Sequence, residues 1–115
     1  MDQLEVSARY SHINPAQLAE FKEVAGEIIA LARTEPGILH FTLFMNADET
    51  VAEVREVYVD SDAVLSHLAK LGAMIGRLVQ LSGGVDITCY GTPSSELLAA
   101  AASLAPTVYS YVDGK

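Results

Sequence analysis

The apolar and polar residues in the first third of the chain follow two different periods. Residues 4–12 alternate between apolar and polar side chains, which is the pattern of a half-buried β-strand. From residue 15 to about residue 33 the apolar residues recur every three or four positions, as in an amphipathic helix. Asn14 and Pro15 suit the start of that helix, because asparagine can accept from free backbone N–H groups and proline has no N–H to leave unpaired. The pattern predicts a strand followed by a helix packed on a sheet.

The next two apolar segments predict a β-hairpin. Residues 38–45 and 51–60 are rich in β-branched and aromatic residues, and the polar stretch 46–50 between them has the length of a hairpin turn. Pro36 and Gly37 end the connection from the preceding helix. Both faces of these strands carry apolar groups. We therefore expect cover on both faces, from helices on one side and from a second subunit on the other.

A second amphipathic helix follows the hairpin. Asp60 or Ser61 is expected to cap its start, and apolar residues at helical spacing mark its buried side. Gly72 and Gly76 lie near the middle of this helix. Since glycine costs about 1 kcal/mol relative to alanine inside a helix, they predict a break or kink there. A strand is predicted over residues 85–90.

The order strand, helix, strand, strand, helix, strand predicts an α+β ferredoxin-like fold. This is the split βαβ arrangement, with a four-stranded antiparallel sheet and both helices on one face. We assign this domain to residues 1–92. Residues 93–115 are predicted to extend the same domain through a helix over 94–104 and a strand over 107–112, the strand contributing to a dimer.

Composition narrows the classes of partner. The 115 residues most simply form one domain, and half of them are hydrophobic, which favours burial of surface between two copies of the chain. No apolar run approaches the roughly 18 residues of a membrane helix. The net charge is -8, and the basic residues are scattered singly. Nucleic acid and anionic membranes are therefore not expected as partners.

The cysteine and histidine content bears on location and metal binding. Cys89 is the single cysteine and cannot form an internal disulfide, and the N-terminus lacks the basic and apolar regions of a signal peptide. Both features predict a cytoplasmic protein. One cysteine and three separated histidines do not match the usual spacing of a zinc site, so no metal is expected.

Three residues are candidates for catalysis. His67 is a candidate base, because histidine titrates near neutral pH and the helix should point it toward the sheet; alternatively, it lies at a helix border and bonds a backbone carbonyl or water. Glu56 and Tyr58 lie two apart on a strand, so a carboxylate and a phenol could enter one pocket. The alternative is that Glu56 pairs with Arg9 or Arg55 and that Tyr58 packs with its hydroxyl at the rim.

Three further residues are candidates for holding a substrate. These are Arg9, His40 and Phe41. His40 and Phe41 are adjacent on one strand, so if Phe41 belongs to the core, His40 faces the opposite side and could lie in a dimer interface.

Taken together, these segments resemble the antibiotic biosynthesis monooxygenase family, which includes quinol monooxygenases. The resemblance spans residues 4–91 and is carried by residues 35–41 (EPGILHF), 56–60 (EVYVD) and 63–68 (AVLSHL). It implies a homodimeric α+β barrel, with the two sheets facing each other and a pocket in each subunit between sheet and helices. It also implies oxygenation of electron-rich aromatic substrates without flavin, metal or haem. Haem-degrading relatives carry a tryptophan near the position of His67, and this chain has none, so haem degradation is not expected.

We therefore predict a cofactor-independent monooxygenase that acts on a small aromatic or quinol substrate. His67 would be the base, while Glu56, Tyr58 and Arg9 would orient the substrate. A rival prediction is a non-catalytic protein that holds a small apolar ligand in the same pocket. A third is that side chains fill the pocket and that the sheet face serves dimerisation alone.

Overall fold

The computed structural model of the protein describes residues 2–115, and its elements follow the predicted order. The strands are β1 Leu4–Tyr10, β2 Ile38–Met45, β3 Ala52–Tyr58, β4 Asp86–Tyr90 and β5 Thr107–Tyr109. The α-helices are α1 Leu18–Ala32, α2 Ser61–Ser82 and α3 Ser95–Ala100, and short 3-10 turns occupy Pro15–Gln17 and Ala102–Leu104. No helix within residues 2–115 is long and apolar enough to cross a membrane.

The sheet confirms the ferredoxin-like class and adds one strand to it. Its order is β2-β3-β1-β4-β5, with antiparallel pairing throughout the first four strands. β5 lies parallel to β4 of the same chain, with Val108 opposite Cys89. The sheet is therefore mixed and five-stranded rather than four-stranded, because the C-terminal extension returns alongside the β4 edge. β5 is also shorter than the strand predicted over residues 107–112.

The two faces of the sheet have different environments. Alternate residues of β1 and β3, such as Ala8 and Val54, are buried with residues of α1 and α2 in the main core. The opposite face carries side chains such as Ser7, Arg55 and Phe44, and Phe44 is 55% exposed. This second surface, called the outer face below, has no helix over it within the described residues.

α2 is continuous through both of its central glycines, so the predicted break does not occur. A Cβ built at Gly72 or Gly76 would meet nothing within 4 Å, which places both glycines on the solvent side of the helix. The buried residues on the other side, from Val64 to Leu81, hold α2 on the sheet. Tertiary packing thus outweighs a cost of about 1 kcal/mol per glycine. Asp60 caps the helix by accepting from the N–H of Ala63 at 2.9 Å.

The turn between α1 and β2 touches the first turn of α2. A Cβ at Gly37 would lie 2.7 Å from the Cβ of Ala63, so a side chain there would collide with α2. The carbonyl of Gly37 accepts from the N–H of Val59 at 2.9 Å, which ties the turn to the end of β3. Because residues four apart share a helix face, the turn also lies close to His67, one turn further along α2.

We expect Gly37→Ala to lower the free energy of unfolding by about 1–3 kcal/mol, because the added methyl must push α2 away from the turn. Gly72→Ala is the matched control and should raise the free energy of unfolding by about 1 kcal/mol, since it fills open space in a helix. Urea unfolding followed by circular dichroism measures both. Equal effects of the two substitutions would contradict the close approach at Gly37.

Candidate functional site

A cavity of about 90 Å³ lies between the sheet and the three helices. Aliphatic residues of β1, α1 and α2 form its walls, and Leu97 and Pro106 of the C-terminal extension close one side. Its lining is apolar apart from the weakly polar Cys89 and the following four polar side chains: Tyr10, Glu56, Tyr58 and His67. Side chains do not fill this space, so the prediction of a filled pocket is wrong.

His67 lies between this cavity and a buried carboxylate. Its Nδ1 is 2.9 Å from Oε2 of Glu35, and the two residues are 2% and 8% exposed. Glu35 does not line the cavity, whereas His67 does. This contact uses Nδ1, one of the two ring nitrogens of His67. Nε2 forms no hydrogen bond within residues 2–115 and is left for a ligand.

Two aromatic rings hold the imidazole of His67 in place. The ring of Phe41 is 5.3 Å away between centroids, and the ring of Tyr58 is 5.9 Å away in an edge-on arrangement. Phe41 is directly opposite Glu56 in the pairing of β2 with β3. Residues that pair across strands have neighbouring side chains, so His67 stands above the part of the sheet that carries Glu56 and Tyr58.

Glu56 and Tyr58 form the second hydrogen-bonded pair at the cavity. The hydroxyl of Tyr58 donates to Oε1 of Glu56, and both residues are buried. Burial raises the pKa of Glu56 to about 7, and the hydrogen bond from Tyr58 opposes that rise without cancelling it. Burial and the nearby carboxylate of Glu56 raise the pKa of Tyr58. Glu56 can therefore gain or lose a proton near neutral pH, while Tyr58 keeps its own.

Tyr10 and Cys89 also line the cavity. Burial, with a further contribution from the charge of Glu56, raises the pKa of Tyr10, so its phenol stays neutral. Burial also raises the pKa of the Cys89 thiol, which disfavours the thiolate needed by a nucleophile. Tyr10 thus adds a neutral hydroxyl to the cavity, and Cys89 adds a small apolar contact.

Arg9 and His40 do not reach the cavity, contrary to the prediction that they hold a substrate there. Arg9 is on the outer face, where its Nη2 lies 3.6 Å from Oδ2 of Asp86 in an exposed ion pair. His40 is opposite Val57 on that same face and is exposed. Successive side chains on a strand point to opposite faces, so an arginine on the outer face cannot meet Glu56 on the inner one. The predicted pairing of Glu56 with Arg9 or Arg55 is wrong for this reason.

Phe41, Glu56, Tyr58 and His67 do come together at the cavity. Glu35 was missed as a site residue, because it is separated from His67 by 32 positions and its Glu-Pro-Gly context signals only a turn. Glutamate side chains are usually exposed, so nothing in the sequence indicated that Glu35 is buried beside a histidine. Within residues 2–115, no three His, Cys, Asp or Glu side chains converge as a set of metal ligands.

Part of the chain is similar in sequence to a known protein family. A sequence profile described as antibiotic biosynthesis monooxygenase matches residues 4–71. No curated protein sequence matches the chain significantly.

Several solved structures share the fold. MupZ from Pseudomonas fluorescens superposes with a TM-score of 0.86 at 21% identity, covering 100% of this chain and 94% of MupZ. A candidate antibiotic biosynthesis monooxygenase from Caulobacter crescentus has a TM-score of 0.68 at 27% identity, covering 76% of this chain and 87% of its own. SnoaB, a cofactor-independent oxygenase from Streptomyces nogalater, has a TM-score of 0.65 at 22% identity, covering 83% and 97% respectively.

We expect Glu56→Gln to change how stability depends on pH. With a folded pKa of about 7, above that of an unfolded glutamate, Glu56 binds a proton more readily in the native state, so the native protein loses stability as pH rises toward neutrality. Glutamine cannot ionise, so the Glu56→Gln variant does not lose stability in this way as pH rises. The variant should gain on the order of 2 kcal/mol relative to the native chain between about pH 5 and about pH 8.

Urea unfolding at the two pH values measures this difference, in which the contributions of His67, Tyr10 and Tyr58 largely cancel because both proteins contain them. Glu27→Gln is the control, since Glu27 is exposed on α1 and should show no such gain. An identical pH response of Glu56→Gln and the native chain would contradict a protonated, buried Glu56.

Proposed function

Because this chain belongs to the antibiotic biosynthesis monooxygenase family, we propose that it is a cofactor-independent monooxygenase of a small aromatic or quinol-type substrate. The observation that supports this most is the buried Glu35–His67 pair, whose Nε2 is free at the wall of an apolar cavity. A base in a cavity that excludes water can ionise a phenol and shield the products from side reactions. The likeness in fold to SnoaB, a cofactor-independent oxygenase, agrees with this chemistry.

The reaction would begin with removal of a phenolic proton by His67, with Glu35 holding the imidazole in orientation. The quinolate then transfers one electron to O₂, and the two radicals combine into a peroxide. Loss of water from this peroxide gives a hydroxyquinone. Quinol and O₂ are thereby converted to hydroxyquinone and water, and the substrate itself supplies all the electrons. The protein removes the proton, orients the ring and excludes solvent.

Glu56 and Phe41 would orient the substrate. Glu56 is held by the hydroxyl of Tyr58, and in its protonated form it can donate a hydrogen bond to a substrate oxygen. Phe41 lines the cavity next to His67 and offers an aromatic surface to a substrate ring. Arg9 has no part in this proposal, because it lies on the outer face.

The alternative is a non-catalytic protein that holds a small apolar ligand. The largely apolar lining of the cavity favours it, since burial of apolar surface is enough for such binding. The buried His67 and Glu56 favour an enzyme, because a simple binding site gains nothing from ionisable groups that are costly to bury. Binding of quinols without turnover would support the alternative.

We further propose that two copies pair through their outer faces in a cytoplasmic homodimer. The outer face exposes large apolar side chains, among them Phe44 at 55% and the stacked rings of Tyr90 and Tyr109. It also carries both charges of the Arg9–Asp86 pair, so a two-fold interface can match opposite charges across the axis. A single buried cysteine suits a reducing compartment.

We expect oxygen consumption with at least one compound from a panel of quinols and anthrones. His67→Ala should lower the rate by about a hundredfold or more, because it removes the general base. The measurement is oxygen uptake with an electrode, together with product identification by mass spectrometry. His12→Ala is the control, since His12 is an exposed histidine outside the cavity, and it should keep the native rate. Equal rates for His67→Ala and the native chain would remove His67 from the mechanism.

We expect Phe44→Asp to weaken the dimer by at least about tenfold in Kd, because a two-fold interface would bury two carboxylates at once. Sedimentation equilibrium measures this constant. Leu31→Asp provides the comparison, since Leu31 is an exposed apolar residue on α1, away from the outer face. A native chain that stays monomeric at high concentration, or a Leu31→Asp variant that dissociates as much as Phe44→Asp, would refute the outer face as the interface.

A further inference from the structure

The cavity holds two hydrogen-bonded pairs that leave complementary atoms free. In the first pair, Glu35 occupies Nδ1 of His67 and leaves Nε2 open. In the second pair, Tyr58 occupies Oε1 of Glu56 and leaves Oε2 without a hydrogen bond within residues 2–115. His67 and Glu56 are both at least nine-tenths buried and both line the cavity. One pair thus offers a proton acceptor and the other offers a proton donor whenever Glu56 is protonated.

The two pairs are neighbours. The rings of Tyr58 and His67 are 5.9 Å apart between centroids. Phe41 contacts His67 from one side and faces Glu56 across the β2–β3 ladder. These contacts bring His67 and Glu56 to the same part of the cavity, where one small ligand can lie against both side chains.

We propose that this cavity also catalyses proton transfer on small apolar ketones without oxygen, with His67 as the base and Glu56 as the hydrogen-bond donor to the carbonyl. His67 Nε2 takes a proton from the carbon next to the carbonyl. The electron pair of the broken C–H bond forms the C=C bond of the enol, and the π electrons of the carbonyl move to its oxygen. Glu56 holds that oxygen while its charge develops.

The reverse step returns the proton from the imidazolium of His67 to carbon. Return to the same carbon exchanges its hydrogen with solvent. With a β,γ-unsaturated ketone, removal of the proton next to the carbonyl gives a dienol, and return of the proton to the γ-carbon moves the double bond into conjugation with the carbonyl. No electrons leave the substrate in either case, so no oxidant or reductant is needed. Glu35 and Tyr58 act as positioning residues, since each holds its partner and neither needs to touch the ketone.

Ketones are the substrate class that this arrangement recognises. A carbonyl oxygen only accepts hydrogen bonds and so matches a carboxylic acid, while the apolar walls match the remaining carbon skeleton. A ligand that fills the apolar cavity displaces water from it, and the lower local dielectric strengthens the hydrogen bond to the developing negative charge. Two titratable groups with opposite roles in one cavity are also the usual arrangement of an acid–base enzyme.

This activity uses the same base as the proposed oxygenation, but it stops before any electron transfer. The two can therefore be separated by experiment. Deuterium exchange under nitrogen reports proton transfer alone, and oxygen uptake reports the complete oxidation. Loss of one signal with retention of the other shows which proposal fails.

The test is deuterium incorporation into 2-tetralone, 2-indanone and cyclohexanone in D₂O under nitrogen, followed by proton NMR. The native chain should exchange the hydrogens next to the carbonyl of at least one ketone faster than a mixture of free imidazole and acetate. Glu56→Gln, which keeps the shape of the side chain, should slow exchange at least about tenfold, and His67→Ala should abolish the enhancement. The controls His12→Ala and Glu27→Gln change exposed residues of the same types and should exchange at the native rate.

The variant Glu35→Gln tests whether Glu35 orients His67 or only fills space beside it. It also provides a second variant if His67→Ala does not fold. The rate of exchange should fall with little change in ketone affinity. In ¹⁵N–¹H NMR, the proton of His67 should lie on Nδ1 in the native chain and should become distributed between the two nitrogens in Glu35→Gln. Native exchange no faster than the imidazole and acetate mixture for all three ketones, or unchanged exchange in Glu56→Gln and Glu35→Gln, would overturn the proposal.

Discussion

The contact between Glu35 and His67 joins the turn after α1 to the second turn of α2, and the proposed chemistry of the cavity depends on it. Both side chains are buried, so each would be costly to leave without a partner. Breaking a buried pair of this kind by removing one member typically costs about 3–5 kcal/mol. Gly37, two residues after Glu35, lies against Ala63 of α2, where a side chain would collide with the helix. The close approach of this turn to α2 therefore requires a glycine at position 37.

Ionisable groups at this cavity occur in pairs for an energetic reason. A lone carboxylate among aliphatic side chains would be destabilising, whereas a carboxylate that accepts from a neighbouring donor is tolerated. Each hydrogen bond uses one polar atom of a residue that lines the cavity, Nδ1 of His67 or Oε1 of Glu56, and leaves the other, Nε2 or Oε2, without a hydrogen bond within residues 2–115. The same hydrogen bonds that make burial tolerable therefore also orient the groups that would act on a ligand. Burial then places the pKa of Glu56 at about 7, in the range useful for proton transfer.

Strand alternation gives the two faces of the sheet different side chains. The inner face of β3 carries Glu56 and Tyr58, and its outer face carries Glu53 and Arg55. Helices cover the inner face, whereas no helix covers the outer face within residues 2–115. The proposed dimerisation through the outer face and the proposed chemistry at the inner face therefore use different surfaces of the same 115-residue chain.

The sequence by itself determined the order of the elements, the capping of α2 and the fact that Glu56 and Tyr58 share one face. These features follow from local periods and local hydrogen bonds, which a linear pattern records. It also placed His67 on the helix that covers the sheet. The prediction that Arg9 holds a substrate in the cavity was wrong. The alternation of side chains along a strand shows which residues of that strand share a face, but it does not show which residues of the neighbouring strand lie on the same face.

Tertiary structure alone decided the pairing of Glu35 with His67, the cavity beside them and the parallel docking of β5 on β4. Each of these joins segments that are distant in sequence, and their geometry depends on how helices and strands pack. The break predicted near Gly72 and Gly76 does not occur for the same reason, because intrinsic helix preference is small beside the burial of a whole helix face. Local preferences therefore specify the elements, and long-range packing decides which of their side chains meet.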